Sequence, residues 1–328
     1  MGWLLEDLMV LVQIGLVALL IMMLLSPLES LGWWAGWRKR ARYQRAEPAE
    51  VANVDASDAR HFVVFLSGIG EASGAWRFPE EGRFLDRLRP ALPDAVLIDD
   101  IFPYLVTSNA LDEERTFNGV WRLVNRMLRR NPTSPVGFLI NLRNVLQVMV
   151  SVDHRYGPFY NLGKAETIGE ALAAHGYPAR SSQPVILVGY SGGGQVAVGA
   201  ALYLTHLLQA PITVISVGGA VSSDPGLMSA HHLYHLYGDL DTVEKATHYL
   251  FFGRWPISRA SFWNQALKRG TITLLPQGPV GHNGATGYFG EDALPDGTPR
   301  VERTVAVVRE LIEDTKLKEP VPSVSATG

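Results

Sequence analysis

VILVGYSGGGQVAVGAAL, residues 185–202, changes character halfway along. A short apolar run that reads as a buried strand passes through Gly189, Tyr190, Ser191, Gly192 and Gly193 into small residues of helical character. A strand that turns this sharply into a helix crowds its own backbone, and glycines at 189 and 193 remove the Cβ atoms that would collide. The serine between them is then lifted clear of the sheet, which is the setting in which a Gly-x-Ser-x-Gly pentapeptide carries a nucleophile. With 32 glycines in the chain, the pentapeptide alone also fits an ordinary strand-to-helix turn, so its surroundings have to decide.

Outward from this stretch the chain alternates strand and helix. Strand patterns lie at 61–67, 95–101, 184–189, 212–219, 232–238 and 271–276, with helical periodicity at 192–208 and 301–315. That alternation predicts an α/β protein with a mostly parallel central sheet flanked by helices. Between about 103 and 165 the alternation stops and two or more helices follow one another, which reads as a helical cap inserted over the sheet. Within it, residues 137–152 are apolar almost all round, so this helix must be buried or lie against lipid. Residues 60–317 form the globular domain, and 318–328 read as a flexible tail.

The chain has 328 residues, 47% of them hydrophobic and 19% charged, with a formal charge of −3. It is too apolar for disorder and lacks the overall basic field of a nucleic-acid binder. With no cysteine, disulfides, thiolate nucleophiles and cysteine-ligated metals are all excluded.

The N-terminus differs from the rest. LMVLVQIGLVALLIMMLL, residues 8–25, holds 18 residues without a charge, roughly 27 Å of helix, about the thickness of a bilayer core. Glu6 and Asp7 precede it and no small-x-small cleavage site follows, which favours a transmembrane anchor at 1–27 over a cleaved signal. Residues 28–59 then form an interfacial and basic linker: Trp33, Trp34 and Trp37 suit a headgroup layer, and Arg38, Lys39, Arg40, Arg42 and Arg45 follow. The positive-inside bias places the rest of this single-pass chain in the cytoplasm.

A serine hydroxyl is a weak nucleophile at neutral pH and needs a histidine base oriented by a carboxylate. Downstream, GDLD (238–241) follows the fifth strand and QGPVGHNG (277–284), holding His282, follows the sixth. Across roughly 60–315 this order resembles the α/β-hydrolase superfamily, serine esterases and lipases included, whose triad runs serine, acid, histidine. The resemblance implies Ser191 as nucleophile, Asp241 as acid and His282 as base. Asp239 in the same turn and Asp224 after the preceding strand remain competing acids, although either suits a turn-capping role. It also implies an oxyanion hole from the Gly192 N–H and a second donor in the loop after the first strand, SGIGEASG (67–74). Ile69 is the implied donor, with Gly68 and Gly70 letting backbone and substrate approach and Tyr190 beside the serine. Ser67 stands where many relatives carry histidine, which leaves the choice of donor in that loop open.

Two other readings use the same residues. Gly68, Gly70 and Gly74 approach a dinucleotide fingerprint, but the third glycine is one residue late and no acidic residue closes a second strand at the right distance. The run His231, His232, Leu233, Tyr234, His235 invites a metal, yet it lacks the carboxylate of a HExxH helix and reads as strand. The sequence therefore implies a membrane-anchored serine hydrolase of carboxylic esters with apolar acyl groups, using neither cofactor nor metal. A thioesterase or amidase would use the same apparatus, and a catalytically silent lipid- or protein-binding member of the fold is the alternative of another class. Protein partners, natural substrate and oligomeric state are not written in the residues.

Overall fold

The computed structural model describes residues 59–70, 78–105, 135–179 and 181–314, with isolated positions 13, 17, 21, 25–28, 30–36, 43 and 56 before them. Six strands form one sheet: β1 (His61–Leu66), β2 (Ala95–Ile98), β3 (Val185–Tyr190), β4 (Ile212–Val217), β5 (His232–Tyr237) and β6 (Ile272–Pro276). Their spatial order is β2-β1-β3-β4-β5-β6, and every neighbouring pair is parallel. The predicted strands are all present: those expected at 61–67, 95–101, 212–219 and 232–238 stop earlier at their carboxyl ends, the third runs one residue further, to Tyr190, and the sixth starts one residue later, at Ile272.

The strand sequences explain the layering. VILVGY and ITVISV are buried along their whole length, as strands covered on both faces must be. Alternate side chains divide between two cores. Phe62, Val64, Leu66 and Leu187 pack on one face, and Val63, Phe65, Ile186 and Val188 on the other. The first face is covered by α2 (Pro135–Val152), α3 (Gly157–Ala174), α4 (Gly192–Leu208) and α6 (Phe262–Arg269). The second is covered by α1 (Pro79–Ala91) and α7 (Arg300–Glu313). The short helix α5 (Thr242–Leu250) sits beyond the end of β5. This is a doubly wound parallel sheet with flanking helices, matching the α/β-hydrolase arrangement implied by the sequence.

Topology then places the site. From β1 the chain runs to β2 on one side and returns past β1 to β3 on the other, so the winding reverses between β1 and β3. In open parallel sheets the crevice for a ligand lies outside the carboxyl ends of the strands at that reversal. Ile69 follows β1 there and Ser191 follows β3.

The region read as a cap divides in two. Helix α3 is a layer helix whose Tyr160, Ala165, Ile168 and Leu172 belong to the sheet core, so the boundary expected near 165 falls inside it. Residues 106–134 of the expected cap lie outside the described residues. Helix α2 packs against α3 and α4, and its C-terminal half contributes Val148 and Val150 to the core.

The predicted anchor, residues 8–25, lies almost wholly outside the described residues. Among those described, no helix is long and apolar enough to cross a membrane. Residues 30–34 are helical, and Trp33, expected at a headgroup layer, is buried in the domain core. Trp34 is exposed and meets Phe159 of α3 with ring centroids 4.9 Å apart. In the basic linker, Tyr43 donates its hydroxyl to Asp100 at 2.6 Å.

Candidate active site

Ser191 sits on the turn between β3 and α4 with φ +52° and ψ −122°. Such a backbone costs about 1–3 kcal/mol in a non-glycine residue and persists where the surroundings impose it. The surroundings are tight. A Cβ on Gly189 would lie 2.6 Å from the Gly193 carbonyl oxygen, and one on Gly193 would lie 2.2 Å from that of Leu66. Both obstacles are backbone atoms, so neither can yield cheaply.

The three sequence-derived positions meet at this turn. Ser191 Oγ lies 2.9 Å from His282 Nε2, and His282 Nδ1 lies 3.0 Å from both oxygens of Asp241. His282 comes from the loop after β6, and Asp241 caps α5 after β5. The carboxylate is fully buried and its oxygens are fully used. Oδ1 accepts the backbone N–H groups of Val243 and Glu244, each at 2.9 Å, and Oδ2 accepts the Tyr288 hydroxyl at 2.9 Å. Burial pushes the Asp241 carboxyl upward, but the bond from His282, its charge and these donors outweigh burial and hold the group below its ordinary value. Asp241 is therefore ionised at neutral pH and can fix the proton of the imidazole on Nδ1, leaving Nε2 as an acceptor for the serine.

The competing aspartates do other work. Asp239 is exposed, and its carbonyl accepts the Lys245 ammonium. Asp224 is buried at the start of a short 3₁₀ turn, where it accepts from Gly226 N–H and Gln195 Nε2. Burial raises its carboxyl to about 6.

Two of the implied backbone positions, Gly192 and Ile69, meet beside the serine turn. Gly192 is the first residue of α4, where N–H groups have no partner inside the helix. Ile69 packs against it: a Cβ on Gly192 would come within 2.8 Å of Ile69 Cγ2. The neighbouring Gly68 N–H donates to Glu81 Oε1 at 3.1 Å and is thus already engaged. The loop is braced from the other side by Asn144 of α2, whose amide donates to the Ile69 carbonyl at 2.6 Å. Of the glycines behind the dinucleotide reading, Gly74 lies outside the described residues.

A cavity of about 290 Å³ opens onto Ser191 and His282. Gly68, Ile69, Gly70, Phe78, Tyr190 and Val243 line it, with Glu80, Glu81 and Asn141 on the polar side. The Tyr190 ring stacks on His282 at 5.4 Å and 22°, and its hydroxyl donates to the His282 carbonyl at 2.7 Å. Burial first, then the charges of Glu81, Glu80 and Asp241, push that hydroxyl well above its usual value, so it remains a donor.

Residue reading missed the supporting shell. Tyr288 lies 47 positions from Asp241 and carries no motif. Glu244 was hidden as one more helical acid. It is buried between His235, at 3.2 Å, and Arg254, at 2.7 Å, and the Arg254 guanidinium lies 4.2 Å above the Trp263 ring. This network ties α5, and with it Asp241, to β5. It also accounts for the histidine run: His235 bonds Ser216 and Glu244, and His232 bonds Thr273. Among the described residues, no group of histidine and carboxylate side chains has metal-binding geometry.

The buried pair has a pH signature. Burial would raise the Glu244 carboxyl, but His235 and Arg254 together bring it down to about 2 from 4.5. A carboxylate depressed by folding contributes stability that is present above pH 4.5 and is lost as pH falls toward 2. Replacing it by Gln leaves Arg254 buried without an anion, at a cost of about 3 kcal/mol. We expect Glu244→Gln to lower the melting temperature at pH 7, and the difference from wild type to shrink steadily between pH 4.5 and 2. Parallel melting curves across that window would show that the pair is not coupled to folding.

The sequence matches no protein-family model and no curated protein. Among solved structures it is similar to a dienelactone hydrolase from Anabaena variabilis (16% identity, TM-score 0.36, covering 77% of this chain and 85% of that one). It is also similar to a carboxylesterase from Mesorhizobium loti (14%, TM-score 0.39, 79% and 91%) and to a thermophilic esterase from Thermogutta terrifontis (14%, TM-score 0.37, 80% and 84%). These are distant likenesses.

Proposed function

We propose that this chain is a serine hydrolase that cleaves carboxylic esters through an acyl-enzyme. One observation carries the reading: a nucleophile held at positive φ lies 2.9 Å from an imidazole that a buried, ionised carboxylate orients. In the cycle, His282 Nε2 takes the Ser191 proton as Oγ attacks the ester carbonyl. The oxyanion forms against the N–H groups of Gly192 and Ile69, and the imidazolium returns the proton to the leaving alcohol. Water, deprotonated by the same imidazole, then attacks the acyl-serine and releases the acid. Serine, histidine, aspartate and two N–H groups complete this cycle without a cofactor.

The cavity is small, and its wall of Ile69, Phe78, Tyr190 and Val243 suits a compact apolar acyl group. Thioesters and amides would pass through the same intermediate. The uncharged stretch 8–25 and the basic cluster after it support a single-pass anchor with the domain on the cytoplasmic side. In a labelling experiment with a fluorophosphonate probe, wild type is expected to become covalently modified and Ser191→Ala is not. Failure of the wild type to label would instead favour a silent fold member that binds a lipid or protein.

A further inference from the structure

Helix α2 buries Leu146, Val148 and Val150 on its flanks, but between them its innermost and outermost faces are reversed in polarity. At 100° per residue, Phe138, Val145 and Met149 fall within about 40° of one another, and Asn144, Gln147 and Ser151 cluster on the opposite side. In a helix covering a core in water, the apolar set faces in and the polar set out. Here Phe138, Val145 and Met149 are 65%, 39% and 49% exposed, whereas Asn144, Gln147 and Ser151 are at most 2% exposed. Each inward polar group has a bonded partner, two in the domain and one in the N-terminal segment. Asn144 donates to the Ile69 carbonyl, Gln147 to Ser26 Oγ at 3.3 Å, and Ser151 to Asn161 at 2.8 Å.

The polarity of the outer face makes sense if the medium outside it is apolar. The described helical positions near the N-terminus continue the pattern. Gln147 joins α2 to them at Ser26, and the apolar positions Val17, Ile21, Leu25 and Leu28 among them are all about half exposed and fall on one stripe. Val17, Ile21 and Leu25 belong to the uncharged stretch 8–25, Leu28 lies just beyond it, and five basic residues follow between 38 and 45, as suits an anionic lipid surface.

We infer that the outer face of α2 lies against a phospholipid bilayer, so that the domain rests on the membrane and its active-site cavity opens beside the lipid. The helix is pinned to the domain by its inward amides and therefore lies on the surface as an interfacial helix rather than spanning it. Asn141 on the same helix lines the cavity, and Asn144 holds the oxyanion loop. The lipid-facing element is thus also a wall of the site.

Lipid contact at α2 builds on the anchor proposed above but can fail separately from it. The chain has no cysteine, so Val145→Cys and Met149→Cys can each carry a single environment-sensitive NBD fluorophore. Arg309→Cys, on the exposed side of α7 across the sheet, serves as the control. The full chain is reconstituted in phosphatidylcholine–phosphatidylglycerol vesicles. Both α2 labels are expected to shift to the blue and to be quenched by doxyl-labelled lipid, while the control label stays water-like and unquenched. A blue shift without lipid quenching would mean that protein, a second copy or residues 106–134, covers the face, and would overturn the inference. Water-like α2 labels would overturn it as well. Flotation of the chain with the vesicles reports the anchor alone, and none of these readouts depends on ester hydrolysis.

Discussion

Ser191→Ala is expected to lower kcat toward a p-nitrophenyl ester by about 10⁴- to 10⁶-fold while leaving KM near its original value. In the proposed cycle the hydroxyl removed is the group that forms the acyl-enzyme, and its loss leaves the cavity wall of Ile69, Phe78 and Tyr190 in place. His282→Ala should cost about as much. Serine and imidazole act as one unit, so the double variant should be no slower than either single one. Multiplicative losses in the double variant would mean that the two side chains work independently. Retention of more than a tenth of wild-type kcat by Ser191→Ala would move the nucleophile elsewhere. Stability should change little: the described side-chain hydrogen bond of Ser191 is to His282, and alanine removes one oxygen without adding bulk.

The second large effect separates the three aspartates. Asp241→Asn is expected to reduce kcat by about 10⁴-fold. An amide oxygen can still accept the N–H groups of Val243 and Glu244 and keep α5 capped. It cannot balance the imidazolium that forms when His282 takes the serine proton, nor does it select the Nδ1–H tautomer as an ionised carboxylate does. Asp239→Asn should stay within a few-fold of wild type, because that side chain is exposed and away from the imidazole. Equal losses in the two variants would break the assignment. Circular dichroism and melting curves on each variant show whether a fall in rate is chemical or comes from unfolding.

The inverted α2 shows how far a one-dimensional pattern reaches. Residues 137–152 are apolar enough that burial or lipid contact was the natural expectation, and the helix itself forms where the periodicity put it. Which side faces in depends on three amides and hydroxyls finding partners at Ile69, Ser26 and Asn161. Those partners lie 10 to 121 positions away in the chain, and no local period encodes them. Trp33 makes the same point: a tryptophan between apolar and basic blocks suits a headgroup layer, yet its ring is spent on the domain core.

By itself the sequence determined the sheet and the turn. Buried parallel strands must read as continuous apolar runs, and a sharp strand-to-helix turn excludes Cβ atoms at 189 and 193, so both leave local marks. It also narrowed the acid to three candidates through the order of serine, aspartate and histidine after successive strands. Only the tertiary structure shows which of them meets His282, namely Asp241 at 3.0 Å, because hydrogen bonding to an imidazole is a matter of ångströms, and a turn of four residues can present either Asp239 or Asp241. Tyr288, the Glu244–Arg254 pair and the Asn144 brace belong to the tertiary structure alone. Each is an ordinary residue in an ordinary helix or loop until the winding of the sheet brings it beside its partner, where burial turns a polar group into a fixed support.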